Sequence, residues 1–344
     1  MIRALVALWL LACAVGAAAQ RLPGFNVDVA QTSVSGLSSG AYMAVQFEVA
    51  HSSIVKGAGV IAGGPYYCAQ DNLGTATSVC TCTTLFCWNA PGATDVPALV
   101  AATKSFAQRG AIDATTHLKQ HRVFLFSGKD DTTVPSTVMQ DLATWYGNFM
   151  PASQVHYVGD LDAGHGMPTP SYGNACSSTK APYLNDCRYD AAGELLQWIL
   201  GSLNAARTGP LQGQLLRFDQ QEFLADATQH GLDATGWVFV PQSCAQGAAC
   251  RLHVAFHGCE QGQGYRSWGF GAAYGKKFVE HAGYNRWADT NDLIVLYPQA
   301  VATPFNPKGC WDWWGYDDAN YATRSGHQVA AVRAMVDRIA SGRH

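Results

Sequence analysis

Apolar positions along the chain fall into short dense runs separated by longer stretches of helical spacing. Residues 26–36 carry spaced apolar positions and end in Gly36-Leu37-Ser38-Ser39-Gly40. A helix-like stretch follows with Ala41, Tyr42, Ala44, Val45, Phe47 and Val49, whose small residues suit tight packing on a sheet. Residues 58–64 read as a short buried strand. Residues 97–108 read as a helix, 122–128 as a strand with the loop 129–135 at its C-terminal end, and 137–149 as a helix. Another short strand is expected over 155–158, leading into the loop 162–168, and an amphipathic helix over 190–203. The polar stretch 204–214, with Gly209, Pro210 and Gly213, reads as a connector. Beyond it come a hairpin pair over 215–223 and 237–241, a strand over 251–256, a helix near 274–282, a strand over 293–298 and a last helix over 326–339. Strands alternating with helices predict a mostly parallel central sheet with helices on both faces. The Cys-, Thr- and Asn-rich stretch 68–97 reads as a stapled surface excursion, and no internal repeat or low-complexity tract interrupts the pattern.

Composition narrows the class. The 344 residues are 48% hydrophobic and 14% charged with a net charge of −3, which excludes a disordered chain and admits one large α/β domain or two small ones. No cluster of Lys and Arg argues for a nucleic-acid partner. Arg3, the apolar run 4–15 and Ala17-Ala18-Ala19 form a signal peptide over 1–19 with cleavage expected before Gln20. The run is shorter than the ~20 residues a membrane span needs, and no later stretch qualifies. An exported protein without a membrane span is therefore expected, secreted to the periplasm or the medium. Leu10-Leu11-Ala12-Cys13 offers a lipoprotein site as the alternative, though Cys13 sits early for that. Ten cysteines remain after the leader, an even number that reads as disulfides in an oxidising compartment. Local pairings favour Cys176 with Cys187, Cys244 with Cys250, and pairing within the group Cys68, Cys80, Cys82 and Cys87. That leaves Cys259 with Cys310. The four-cysteine group also admits a zinc site, although it lacks paired C-x-x-C knuckles.

Three residues carry the candidate chemistry. Gly36-Leu37-Ser38-Ser39-Gly40 matches G-x-S-x-G between a strand and a helix, the context of a nucleophile elbow, and so singles out Ser38 rather than Ser39. A serine hydroxyl needs a base, and the base an orienting carboxylate. After an elbow the expected order is Ser, then acid, then His. Asp131, in Gly128-x-x-Asp131-x-x-Val134-Pro135 after a strand, is the favoured acid, with Asp130 as its neighbouring alternative. His165, flanked by Gly164 and Gly166 in a loop just after a strand, is the favoured base. His156 and His253 fall within strands, and the remaining histidines except His257 read as surface or packing residues. His257-Gly258-Cys259 ends a strongly hydrophobic strand. Such H-G motifs in α/β-hydrolases build the oxyanion hole, which assigns the two oxyanion donors to the backbone N–H groups of Ser39 and Cys259. In the usual fold the H-G strand precedes the elbow. Here it follows by about 220 residues, which predicts a circularly permuted α/β-hydrolase with its junction near 204–214. The segment Cys310-Trp311-Asp312-Trp313-Trp314-Gly315-Tyr316 concentrates aromatic rings, and Trp311 and Trp313 are candidate walls of a substrate groove, with Tyr66 and Tyr67 at its mouth. An apolar aromatic groove suits an uncharged ligand.

Together the GLSSG box near the start of the mature chain, SGKDDTTVP at 127–135, DAGHGMP at 162–168 and VAFHGCEQG at 254–262 resemble the poly(3-hydroxybutyrate) depolymerases, most of all the single-domain secreted or periplasmic kind. The resemblance covers nearly all of residues 20–344, read as one catalytic domain. It implies a serine esterase acting on poly(3-hydroxybutyrate) or its oligomers, with Ser38, Asp131 and His165 as triad and Ser39 and Cys259 as oxyanion donors. It also implies a monomer that needs no metal or organic cofactor, with a polyester chain as its partner. The chain departs from multi-domain extracellular depolymerases in showing no Thr-rich or fibronectin-like linker and no separate substrate-binding domain, which puts attack on dense crystalline polymer in doubt. The same machinery could serve a feruloyl or acetylxylan esterase. A non-catalytic polymer-binding protein using its tryptophans is the reading outside enzymes.

Overall fold

The structure, a computed structural model, describes residues 19–87 and 94–342. The expected leader therefore lies, apart from Ala19, outside the described residues. The strands in chain order are β1 (Val27–Leu37), β2 (Val55–Ile61), β3 (Val123–Phe126), β4 (Val155–Val158), β5 (Met167–Thr169), β6 (Asn174–Ala175), β7 (Leu184–Asp186), β8 (Gln214–Asp219), β9 (Thr235–Val240), β10 (Cys250–Phe256) and β11 (Leu293–Tyr297). Eight of them form one twisted sheet in the order β4-β3-β2-β1-β10-β11-β9-β8, and β5-β7-β6 form a small second sheet. Pairing is parallel from β4 through β11, while β9 runs antiparallel to β11 and β8 antiparallel to β9.

The side chains explain why the sheet is covered twice. Val-Phe-Leu-Phe of β3 and Leu-Ile-Val-Leu-Tyr of β11 are buried at every position, as strands covered on both faces must be. Their alternation sends Ile294 and Leu296, with Leu252, Val254 and Phe256 of β10, to one side, against the helices Ser39–Ala50, Val96–Gln108 and His327–Ile339. Leu293, Val295 and Tyr297 go to the other, against the helices Ala191–Leu200 and Tyr284–Ala288. The helix Ser39–Ala50 is buried along its whole length. It can carry Glu48 because that carboxylate accepts the Tyr146 hydroxyl and pairs with His121 Nδ1 at 2.9 Å. A buried charge is tolerated only with such partners.

Most expected elements are present, with instructive differences. The helix expected over 137–149 is Ser136–Tyr146, ending where Gly147 caps it. The helix near 274–282 is two short ones, Lys277–His281 and Tyr284–Ala288, divided by Gly283 at φ 103°. The small sheet β5-β7-β6 has strands of two or three residues and no periodicity to announce it. All five disulfides form: Cys68–Cys80, Cys82–Cys87, Cys176–Cys187, Cys244–Cys250 and Cys259–Cys310. The four-cysteine group thus spends its sulfurs on each other, and the zinc reading of it falls. Cys259–Cys310 closes 51 residues, which in the chain-entropy picture removes about 4 kcal/mol of unfolded-state freedom.

Strand order also shows the permutation. β10, which ends in His257-Gly258, lies directly against the elbow strand, with Gly36 opposite Phe256, although it comes so much later in the chain. The connector 204–214 is clasped by Asp289, which accepts the backbone N–H groups of Gln212 at 2.9 Å and Gly213 at 2.7 Å and pairs with Arg207. Among the described residues no helix is long and apolar enough to cross a membrane.

Burial pushes three imidazoles well down: His253 to about 3, His51 and His257 to about 4. In the unfolded chain each returns to its ordinary value near 6.5. Between that pH and about 4 the unfolded chain therefore binds more protons than the folded one, and stability falls as the solution is acidified. The melting temperature measured at pH 5 should lie below that at pH 7. An equal or higher midpoint at pH 5 contradicts these protonation states.

Candidate active site

The elbow is built by crowding. Ser38 sits at φ 56°, ψ −122°, a backbone conformation that L residues rarely adopt, with its N–H donating to Ile61 at 3.0 Å. The turn folds so tightly that a Cβ on Gly36 would stand 2.1 Å from the Gly40 carbonyl oxygen. A Cβ on Gly40 would stand 2.4 Å from the carbonyl oxygens of both Phe256 and His257. The two glycines of the G-x-S-x-G box are thus required by backbone contact. The Ser38 side chain is left partly exposed at the start of a helix, whereas Ser39 is buried and its hydroxyl has no hydrogen-bond partner among the described residues.

Asp131 and His165 meet. His165 Nδ1 lies 2.8 Å from Asp131 Oδ2, and the other carboxylate oxygen accepts the backbone N–H groups of Thr133 at 2.8 Å and Val134 at 2.9 Å. A carboxylate so held can only accept, so the imidazole carries its proton on Nδ1 and leaves Nε2 as the free base. The His165 backbone N–H donates to Thr179 Oγ1 at 2.8 Å. The flanking glycines are needed for contact more than for freedom. A Cβ on Gly164 would meet the Ser177 carbonyl oxygen at 2.5 Å, and one on Gly166 the Asn185 amide at 2.8 Å. Asp130 points away into solvent.

At the end of β10 one histidine fixes one peptide plane. His257 is fully buried. Its Nε2 accepts the Ala300 N–H at 3.0 Å, so the proton resides on Nδ1, which donates to the Gly258 carbonyl at 2.7 Å. Burial holds this imidazole neutral down to about pH 4. In a trans peptide the carbonyl and the next N–H point opposite ways. With the Gly258 carbonyl turned to His257, the Cys259 N–H is turned away from it. A Cβ on Gly258 would lie 3.5 Å from Ser38 Cβ, so this peptide passes beside the elbow. Among the described residues neither the Ser39 nor the Cys259 N–H has an acceptor, and Cys259 is tied to Cys310.

These groups line one cavity of about 460 Å³, shared by Ser38, Ser39, His165, Gly258 and Cys259. Much of its wall is apolar or hydroxylic, with Leu73, Phe305, Pro307, Trp313 and Trp314 beside Thr77, Thr81, Thr83 and Thr133, and the amides of Gln261 and Asn306 also reach it. Trp313 stacks on Tyr42 with ring centres 4.0 Å apart. Among the described residues the Lys, Arg, Asp and Glu side chains on the wall are Glu260 and Lys308, which pair with each other at 3.0 Å. Trp311, expected as a wall, is instead fully buried, donating its indole N–H to the His257 carbonyl at 2.9 Å and packing on Phe256. Tyr66 is a core residue bonded to Ala322, and Tyr67 packs beside it away from the cavity. The threonines, Trp314 and the 305–308 segment were not foreseen. Only the crowding of aromatic residues at 311–316 hinted at Trp314.

This arrangement on a permuted sheet is that of an α/β-hydrolase. No family model matches the chain. A poly(3-hydroxybutyrate) depolymerase of Delftia acidovorans is 46% identical over 336 residues, 96% of this chain and 64% of that protein. A polyhydroxybutyrate depolymerase of Talaromyces funiculosus is 41% identical over 351 residues, 97% of both. A crystal structure of a polyhydroxybutyrate depolymerase from Penicillium funiculosum superposes with a TM-score of 0.83 at 39% identity, over 94% of this chain and all of that one. The same values hold for a depolymerase complexed with an R3HB trimer. The chain belongs to the poly(3-hydroxybutyrate) depolymerase family.

Substituting Gly40 by Ala should lower stability by about 1–3 kcal/mol through backbone overlap, read as a fall in melting temperature. An unchanged midpoint would mean that the helix and β10 are not pressed together as described.

Proposed function

We propose that the protein is a secreted or periplasmic serine esterase that hydrolyses poly(3-hydroxybutyrate) or its oligomers to 3-hydroxybutyrate units. The observation carrying this reading is that Ser38 and the Asp131-paired His165 open onto one largely apolar, aromatic-walled cavity, whose Glu260 and Lys308 neutralise each other, beside two amides without an acceptor among the described residues. A polyester presents methyl groups and ester dipoles but no charge, which such walls suit.

In this reading His165 Nε2 takes the Ser38 proton as the hydroxyl oxygen attacks the ester carbonyl. Asp131 holds the tautomer and steadies the imidazolium. The N–H groups of Ser39 and Cys259 receive the oxyanion, each worth about 10²–10³ in rate. His165 then protonates the leaving alcohol, and a water activated by the same nitrogen frees the acid. Trp313, joined by Trp314, takes the role of substrate wall. Residues 20–344 form one catalytic domain, exported by a leader cut before Gln20 and rejoined near 204–214. The five disulfides suit an oxidising compartment.

Ser38→Ala should remain folded and lose at least about 10³-fold in release of soluble 3-hydroxybutyrate from polymer suspensions and defined oligomers. It should also lose labelling by a fluorophosphonate. Asp131→Asn should lose about 10³–10⁴-fold through the wrong tautomer. Ser39→Ala deletes only a buried, unpartnered hydroxyl and should keep both activity and stability. An inactive Ser39→Ala beside an active Ser38→Ala would reverse the assignment. Release of ferulate or acetate in place of hydroxybutyrate would move the substrate class.

A further inference from the structure

A second cluster lies where three separate segments meet: His230 in a turn before β9, Asp317 in the loop after the tryptophans, and His327 at the start of the last helix. His230 Nδ1 is 2.9 Å from one Asp317 carboxylate oxygen and His327 Nδ1 is 2.9 Å from the other. The two rings lie 4.3 Å apart at 65°, and the ligand atoms of all three residues fall within 4.8 Å of one another. The 2.9 Å contacts are hydrogen bonds, and ligand atoms around a tetrahedral ion with bonds of about 2.0–2.1 Å stand about 3.3 Å apart, so a small outward shift of the two rings admits one.

The surroundings are built and negatively charged. The Asp312 carboxylate beneath accepts the backbone N–H groups of Gly315, Tyr316, Asp317 and Asp318, which shapes the loop carrying Asp317. Gln328 Nε2 donates to the His230 carbonyl at 2.8 Å, and Asp318 accepts the His327 N–H at 3.0 Å. Three carboxylates, Asp312, Asp317 and Asp318, therefore sit together. Among the described residues no lysine or arginine pairs with any of them. Both imidazoles are partly open to solvent, so an ion has a path in.

We propose that His230, Asp317 and His327 bind a divalent transition-metal ion of the Zn²⁺ or Cu²⁺ class. Two imidazole nitrogens and a carboxylate suit these ions better than Ca²⁺ or Mg²⁺, which prefer all-oxygen shells. The tautomers shift so that Nδ1 faces the ion and Nε2 carries the proton, and water completes the shell. The ion ties the last helix to the loop that presents Trp313 and Trp314. Asp317 also lines a shallow groove that shares Phe305 with the main cavity, so the ion braces one rim of that cavity. It takes no part in the ester chemistry.

The test is titration of chelator-treated protein with ZnCl₂, and separately with CuCl₂, by calorimetry. One ion per chain is expected, together with a rise in melting temperature on loading. His327→Ala and Asp317→Asn should each weaken the affinity at least about tenfold and abolish the rise. His327 has a part-exposed side chain, and circular dichroism and the metal-free midpoint verify that its variant folds. Wild-type protein that binds no stoichiometric ion, or variants that bind as wild type does, overturns the site.

Discussion

Two pieces of backbone, far apart in sequence, press together at Gly40. Its Cα is so near the Phe256 and His257 carbonyls that no side chain could be inserted. This contact sets the distance between the elbow and the end of β10. On one side it holds the strained turn at Ser38, whose unfavourable φ persists only because its neighbours over-determine it. On the other it brings the Gly258–Cys259 peptide alongside that serine. Moving either strand outward by an ångström would relieve the glycine and draw the Gly258–Cys259 peptide away from Ser38.

The rest of the site is arranged by groups at or behind the cavity wall. His257 turns one peptide plane, Trp311 wedges behind the same strand end, and the disulfide to Cys310 ties that strand end to the aromatic loop. Asp131 is held by two backbone amides before it touches His165. His257, Trp311 and Asp131 are buried, so their hydrogen bonds are little screened by water. The part left adaptable is the outer wall, where exposed Leu73 and Phe305 stand.

Much of this could be read from residues alone, and for reasons that can be named. Short apolar runs marked the buried strands because a sheet covered on both faces leaves no polar side. G-x-S-x-G, the acid loop and the glycine-flanked His165 stood out because close backbone contact forbids other residues there. Local cysteine pairing succeeded because four of the bridges close short loops. The reading failed where placement depends on distant packing. Trp311 and Trp313 are two residues apart in a loop without regular period, and nothing local says which faces the core. Strands as short as β5, β6 and β7 carry no pattern. The threonine wall is invisible because its members come from the disulfide excursion and from the acid loop, brought together only by the fold.

The two ends of the described chain are neighbours. Phe25 donates its N–H to Ile339 at 2.7 Å, a Cβ on Gly24 would touch Ser341, and Gln20 bridges to the edge strand at Phe218. The connector, by contrast, is exposed around Gly209, where a Cβ would meet nothing within 4 Å. A few residues could therefore splice tail to head, and a cut near position 209 could give new termini. The gene so rearranged would encode the customary strand sequence while leaving every ladder of the sheet intact, so the order of synthesis and the architecture are separable variables in this molecule.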